Sequence, residues 1–179
     1  MRESIRVEAL ARRHDRVGFE CPIGGLGDYL RERASQDVKR GSAAVFVAIY
    51  PSAPETILGY YTLSSFSLKL TDIPAQQQRG LARYPDVGVT LLGRLAIGVA
   101  HRGQHIGEFL LMDALRRVVS SSSTIATVAL VVDALDVSET FYTRYGFIHL
   151  GGQRYWLPLD TAHLLVQEQP APILADEKS

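Results

Sequence analysis

The chain has a single cysteine, Cys21, in 179 residues. One thiol excludes an intramolecular disulfide and any cysteine metal cluster, and it fits a reducing cytoplasm. No apolar run is long enough to span a bilayer. The first residues, with Arg2, Glu3 and Arg6, hold no long apolar stretch, so no signal peptide is expected. No excess of either charge exists overall: the formal net charge is zero. That argues against non-specific nucleic-acid binding by the chain as a whole. The balance is uneven, however. Between Lys69 and Arg102 stand five bases (Lys69, Arg79, Arg83, Arg94, Arg102) against two acids, Asp72 and Asp86. A solvated face is the plain structural explanation of such a run. There is no internal repeat.

What the sequence does have is a hydrophobic share of 46%, enough for one core, and a length of one domain. Ile5 to Leu10 alternates and reads as a first strand. His14 to Gly27 is Gly-rich and polar, a loop. Tyr29, Leu30, Ala34 and Val38 recur at helical spacing, predicting a surface helix over 28–38 closed by Lys39, Arg40 and Gly41. The cations there suit a helix C-terminus. Ala43 to Tyr50 and Ile57 to Leu70 flank the Pro51–Pro54 turn and predict an antiparallel hairpin. Asp72 to Gly88 reads as a loop with at most one short helix, over the mouth of the site. Val87 to Ala100 is the central strand, Ile106 to Ser120 a helix, and Thr124 to Val132 a buried strand parallel to the central one. Asp136 to Glu139 has the spacing of a capping box before a helix that Gly146 ends. Phe147 to Leu150 and Arg154 to Leu159 are the last strands, around Gly151-Gly152. Residues 170–179 are Pro- and charge-rich and are expected to be disordered.

Function concentrates at the strand-to-helix turn after Ile97. A helix start offers unpaired N–H groups and a partial positive charge, which suit a phosphate. Gly103 and Gly107 allow close backbone approach. Arg102 adds a charge-assisted contact.

The line Arg102-Gly103-Gln104-His105-Ile106-Gly107 resembles motif A of the GCN5-related N-acetyltransferases, the GNAT superfamily. Phe141-Tyr142-Thr143-Arg144-Tyr145-Gly146-Phe147 resembles that family's motif B. The two occur in the family's order and spacing, and the resemblance covers 45–159. It implies an α/β chain with a single GNAT fold over 1–165, a central mixed twisted sheet flanked by helices, and a tail over 166–179. It also implies acetyl-CoA as co-substrate and no metal. Phosphates would lie on the amides of Gly103, Gln104, His105, Ile106 and Gly107 beside Arg102. Pantetheine would run along Leu95, Ala96 and Ile97. Tyr142 would donate a proton to the leaving thiolate as general acid; as a bare residue it reads equally as a core aromatic. Tyr145 falls in a free position of the motif. His105 stands where the pattern has its middle Gly. Histidine tolerates left-handed angles better than most side chains, but its ring then stands near the expected pyrophosphate.

Residues 87–100 contain no Asp or Glu. A lysine-like ε-amine, with a pKa of about 10.4, needs help to lose its proton, whereas an α-amine at about 7.7–8.0 is partly neutral already. The sequence therefore leans toward an α-amine acceptor. Phe19-Glu20-Cys21, Leu26-Gly27-Asp28-Tyr29-Leu30, Gly59 to Ser64, Gly93-Arg94-Leu95-Ala96-Ile97 and Phe141-Tyr142 are similar to segments of the GNAT toxins of toxin–antitoxin pairs. That resemblance implies acetylation of aminoacyl-tRNA, a block of translation in the cytoplasm, and a ribbon–helix–helix antitoxin partner; a homodimer is a further candidate assembly. It makes Arg79, Arg83 and Arg94 candidates for RNA phosphate contacts. Arg94 serves equally for coenzyme A or a strand-edge salt bridge. The alternatives are an acetyltransferase for a small-molecule or protein amine, and a non-catalytic GNAT-fold binding module.

Overall fold

The computed structural model describes residues 3–169. Seven strands form one sheet: β1 (Arg6–Ala9), β2 (Ala44–Ile49), β3 (Gly59–Lys69), β4 (Asp86–Ile97), β5 (Ala129–Asp133), β6 (Ile148–Gly151) and β7 (Arg154–Pro158). Their order is β1-β2-β3-β4-β5-β7-β6. β4 and β5 are parallel, as expected of strands joined by a helix; the other pairings are antiparallel. The mixed sheet and its helices are the fold that the resemblance implied. Among the described residues, no helix is long and apolar enough to cross a membrane.

The joining helix, α3 (Ile106–Ser121), buries Ile106, Leu110, Leu111, Ala114, Leu115 and Val118. These are one helical stripe, and they pack on Leu92, Leu130, Val132 and Tyr61. The opposite face of the sheet carries two further clusters. One gathers Phe19, Tyr29, Leu30 and Ala34 around Tyr60 and Ala96. The other gathers Leu68, Ile73, Val87, Val89 and Val131 around Trp156.

The expected helix over 28–38 is two helices, α1 (Leu26–Glu32) and α2 (Ala34–Arg40). Arg33, at φ −120°, ends one and begins the other. The joint lets Tyr29, Leu30 and Ala34 reach the same core, and the Tyr29 hydroxyl donates across it to Asp37 Oδ2 at 2.8 Å. Gly41, at φ 71°, stops α2 as expected. The capping box at Asp136 does not form. Asp136–Ser138 is a 3-10 turn, Ser138 Oγ donates to the Leu135 carbonyl, and α4 (Glu139–Arg144) starts without a side-chain cap.

Residues 70–85 make two 3-10 turns and pack on the Trp156 cluster through Ile73 and Leu81. The last strand ends at Pro158 rather than Leu159, and a helix not foreseen follows, α5 (Leu159–Glu168). Ala162 is fully buried there, and Leu159, Leu165 and Val166 join the α3 core. The boundary expected at 165 therefore falls inside a packed helix. The rest of the expected tail, 170–179, lies outside the described residues.

Candidate active site

The site begins with a register fault. Thr62 pairs with Arg94 but Leu63 pairs with Leu92, so Gly93 is an extra, unpaired residue: a β-bulge. A side chain at Gly93 would meet Thr62 Oγ1 at 2.9 Å, so that hydroxyl would have to shift to admit one. The extra residue reverses which side chains face which way. Before it, Val87, Val89 and Leu91 face the Trp156 cluster. After it, Leu95 and Ile97 face α3, while Ala96 faces Tyr60.

The bulge also coincides with a parting of strands. β4 and β5 pair only over Thr90–Leu92 and Leu130–Val132. β4 then continues to Ile97 alone on that edge, its main-chain groups unpaired by β5. The gap is a cleft of about 560 Å³. One wall is Leu95, Ala96 and Ile97; the other is Val132, Asp133, Leu135 and Tyr142; Cys21 and Leu26 close an end. A second cavity, over the 103–107 loop, shares Ile97, Arg102, Gly107 and Phe141 with it. The two adjoin along these residues, between the α3 N-terminus and the strand gap.

Gly103, at φ 74°, and His105, at φ 61°, take the left-handed turn into α3. His105 is the one non-glycine residue in that region among those described. Its ring pairs with the first turn of α3: Nδ1 lies 2.5 Å from Glu108 Oε2, and the side chain is 74% exposed. Both residues line the cavity over the loop. The first-turn N–H groups of α3 have no intrahelical partner, and no side chain caps them. An anion would satisfy them. Gln104 faces Tyr50, whose hydroxyl is 3.4 Å from Gln104 Oε1.

Tyr142 lines the cleft from α4, buried between Phe141 and Phe147 in edge-to-face contacts. Burial pushes its phenol well above the ordinary tyrosine range. No protein partner for its hydroxyl is found among the described residues, and that oxygen is not among the fully enclosed polar atoms. Arg94 also lines the cleft, and among the described residues no salt bridge holds it: its guanidinium lies over the Tyr29 ring. Tyr29 is itself pushed up to about 12, first by burial and then by Asp37. Arg79 and Arg83 do not line the cleft. Arg83 Nη1 lies 3.5 Å from Gln78 Oε1, on the loop that packs toward Trp156.

Three features of the site were not foreseen. The wall from Cys21 to Leu26 has no local signal; it comes from α1 docking on β4. Val137 and Ser138 at the rim are set by the 3-10 turn. The third is a carboxylate. Residues 87–97 of β4 carry none, and Asp86 at its far end pairs with Lys69 Nζ at 2.6 Å. β5, however, brings Asp133 into the cleft.

No family model matches the sequence. Curated and solved proteins do. The chain is 32% identical over 162 residues to a tRNA-acetylating toxin of Mycobacterium tuberculosis (strain ATCC 25618 / H37Rv), covering 89% of this chain and 90% of that protein. A tyrosine-to-phenylalanine mutant of KacT superposes with a TM-score of 0.83 at 25% identity, covering 92% of this chain and 99% of that one. The toxin AtaT, solved as a mutant bound to the C-terminus of the antitoxin AtaR and acetyl-CoA, gives a TM-score of 0.75 at 25% identity, covering 90% and 97%. With a relative of that identity over most of both chains and the same overall backbone, this protein belongs to the family of GNAT acetyltransferase toxins.

Proposed function

We propose that this protein moves the acetyl group of acetyl-CoA to the α-amino group of an aminoacyl-tRNA, and so acts as a toxin by blocking translation. The observation that carries the reading is the pair of adjoining cavities that run from the uncapped 103–107 amides to the strand gap beside Tyr142. They offer a place for a phosphate at one end and for a reacting group at the other. The relative of known activity is a tRNA-acetylating toxin.

In this reading the amides of 103–107, with Arg102, hold the pyrophosphate. The free edge of β4 at Leu95, Ala96 and Ile97 hydrogen-bonds the pantetheine arm. Acetyl-CoA supplies the thioester: the amine nitrogen gains the acetyl carbon, and sulfur leaves with the electrons of the C–S bond. Tyr142 donates its phenolic proton to that sulfur. The proton lost by the nitrogen goes to solvent, from which Tyr142 recovers one. The raised pKa keeps the phenol protonated at neutral pH, as a donor must be. Arg94 steers the RNA phosphates from the cleft rim; Arg79 and Arg83 extend the contact outside it.

The partner is an antitoxin, of the ribbon–helix–helix class in the family's pattern, and the compartment is the cytoplasm, where tRNA is charged. The test is acetylation of charged tRNA, uncharged tRNA and polyamines side by side. Label on charged tRNA alone is expected. Label on polyamines with charged tRNA untouched would establish the small-amine enzyme instead.

A further inference from the structure

Asp133 is the only carboxylate among the described residues that line the cleft. It also lines a neighbouring cavity of about 550 Å³, with Leu68, Asp72, Leu150, Gln153 and Arg154. It is the last residue of β5, one past Val132, the final partner of β4. The ladder therefore puts it level with Gly93, at the apex where the strands part.

Its face follows from alternation along the strand. Leu130 and Val132 belong to the α3 core, Ala129 and Val131 to the Trp156 cluster. Asp133 shares the parity of Val131, so it faces away from α3. Arg94 shares the parity of Ala96 and faces the same way. The phosphate loop lies at the start of α3, on the other side. A cofactor entering from that side presents its thioester at the apex, and the acceptor must arrive from the face that holds Asp133 and Arg94.

The carboxylate is held for such a role. Asp133 Oδ1 accepts from Arg154 Nε at 2.8 Å and Oδ2 from Nη2 at 3.0 Å, a two-point grip across β5 and β7. The Arg154 guanidinium is seated 4.9 Å from the Phe66 ring centre, which fixes it in turn. A carboxylate has about four acceptor sites, so two remain after that grip. The Asp133 side chain is 45% exposed, open to the cavity.

We propose that Asp133 receives the α-amino group of the acceptor, accepting its N–H hydrogen bonds at the apex, with Arg154 as the positioning residue that aims the carboxylate. The inference rests on the functional reading above. The plain alternative is a cross-strand ion pair with no part in binding.

The experiment uses the full chain with acetyl-CoA saturating and charged tRNA varied. A tRNA carrying the corresponding deamino acid, with hydrogen in place of the amine, serves as competitive inhibitor, since it offers the carboxylate no donor. Asp133→Asn should raise the KM for aminoacyl-tRNA by about 10- to 100-fold, the scale of one charged hydrogen bond. The inhibition constant of the deaminoacyl-tRNA and the calorimetric affinity for acetyl-CoA should hold. A structural defect would move the two tRNA constants together, and that result, or an unchanged KM, overturns the inference. Should Asp133→Asn not fold, the double variant Asp133→Asn/Arg154→Gln, which leaves no unpaired charge, is read in the same way. If the wild-type protein leaves charged tRNA unlabelled, the functional reading fails and this inference with it. If it labels charged tRNA and the constants do not separate, this inference alone fails.

Discussion

The guanidinium carbon of Arg94 stands 3.6 Å from the centre of the Tyr29 ring, a cation over an aromatic face at the edge of the cleft. Tyr29 is tied to Asp37 and stacked on Tyr60, so α1, α2 and the central strand meet at one residue. Such a stack is worth about 0.5–2 kcal/mol and holds the side chain in place without using all its donors. Arg94→Ala should therefore weaken charged-tRNA binding and lower the slope of log affinity against log salt by about one. Acetyl-CoA affinity should stay near wild type. Binding measured across a salt series decides it; an unchanged slope would free Arg94 from any phosphate.

Removing the Tyr142 hydroxyl leaves the ring and its contacts with Phe141 and Phe147. Tyr142→Phe should keep the fold and acetyl-CoA binding while kcat falls about 10²- to 10⁴-fold, the range of general acid catalysis. Near-normal turnover would return Tyr142 to packing alone.

His105 adopts φ 61° with its ring paired to Glu108 in solvent. His105→Gly loses only an exposed pair, worth about 0–1 kcal/mol, so the acetyl-CoA Kd should change about fivefold or less. His105→Val places a β-branched residue in the same left-handed turn and should cost about 1–3 kcal/mol of stability. Calorimetry and urea midpoints on the two variants check both halves.

Burial pushes the phenols of Tyr60, Tyr61 and Tyr142 upward. The folded state thus holds these protons to higher pH than the unfolded chain, where a tyrosine titrates near ~10. Their contribution is complete below that value and is lost as pH rises toward the folded values. The urea midpoint should therefore decline above a pH of about 10. In Tyr142→Phe the decline should be shallower; equal slopes in the two proteins would mean that Tyr142 is not among the groups responsible.

Local spacing made part of this legible. The α3 stripe and the glycines before it are read within a few residues of chain, so the strand, turn and helix stood where expected. The left-handed turn at His105 was legible for the same reason. The Arg33 joint was not, because tertiary contacts of Tyr29 and Ala34 place it. α5 does have a signal, the helical spacing of Leu159, Ala162, Leu165 and Val166, but the apolar run of β7 passes into it across Pro158 with no break in hydrophobicity. Asp133 entered the cleft through a pairing between distant strands, which a search confined to the central strand passes over. Arg79 and Arg83 stand out in the sequence by charge alone, and where their loop lies is decided by the packing of Ile73 and Leu81 on the Trp156 cluster.

The bulge at Gly93 keeps the two halves of the central strand in phase only because one residue stays out of the ladder. Were Gly93 drawn in opposite Thr62, every pairing after it would slip by one residue. Everything downstream would then change sides: Arg94, opposite Tyr61, would turn toward the α3 core and Leu95, opposite Tyr60, toward the acceptor face. Many side chains along the strand can be exchanged without that result, whereas a slip of one position at the bulge turns the reactive half inside out.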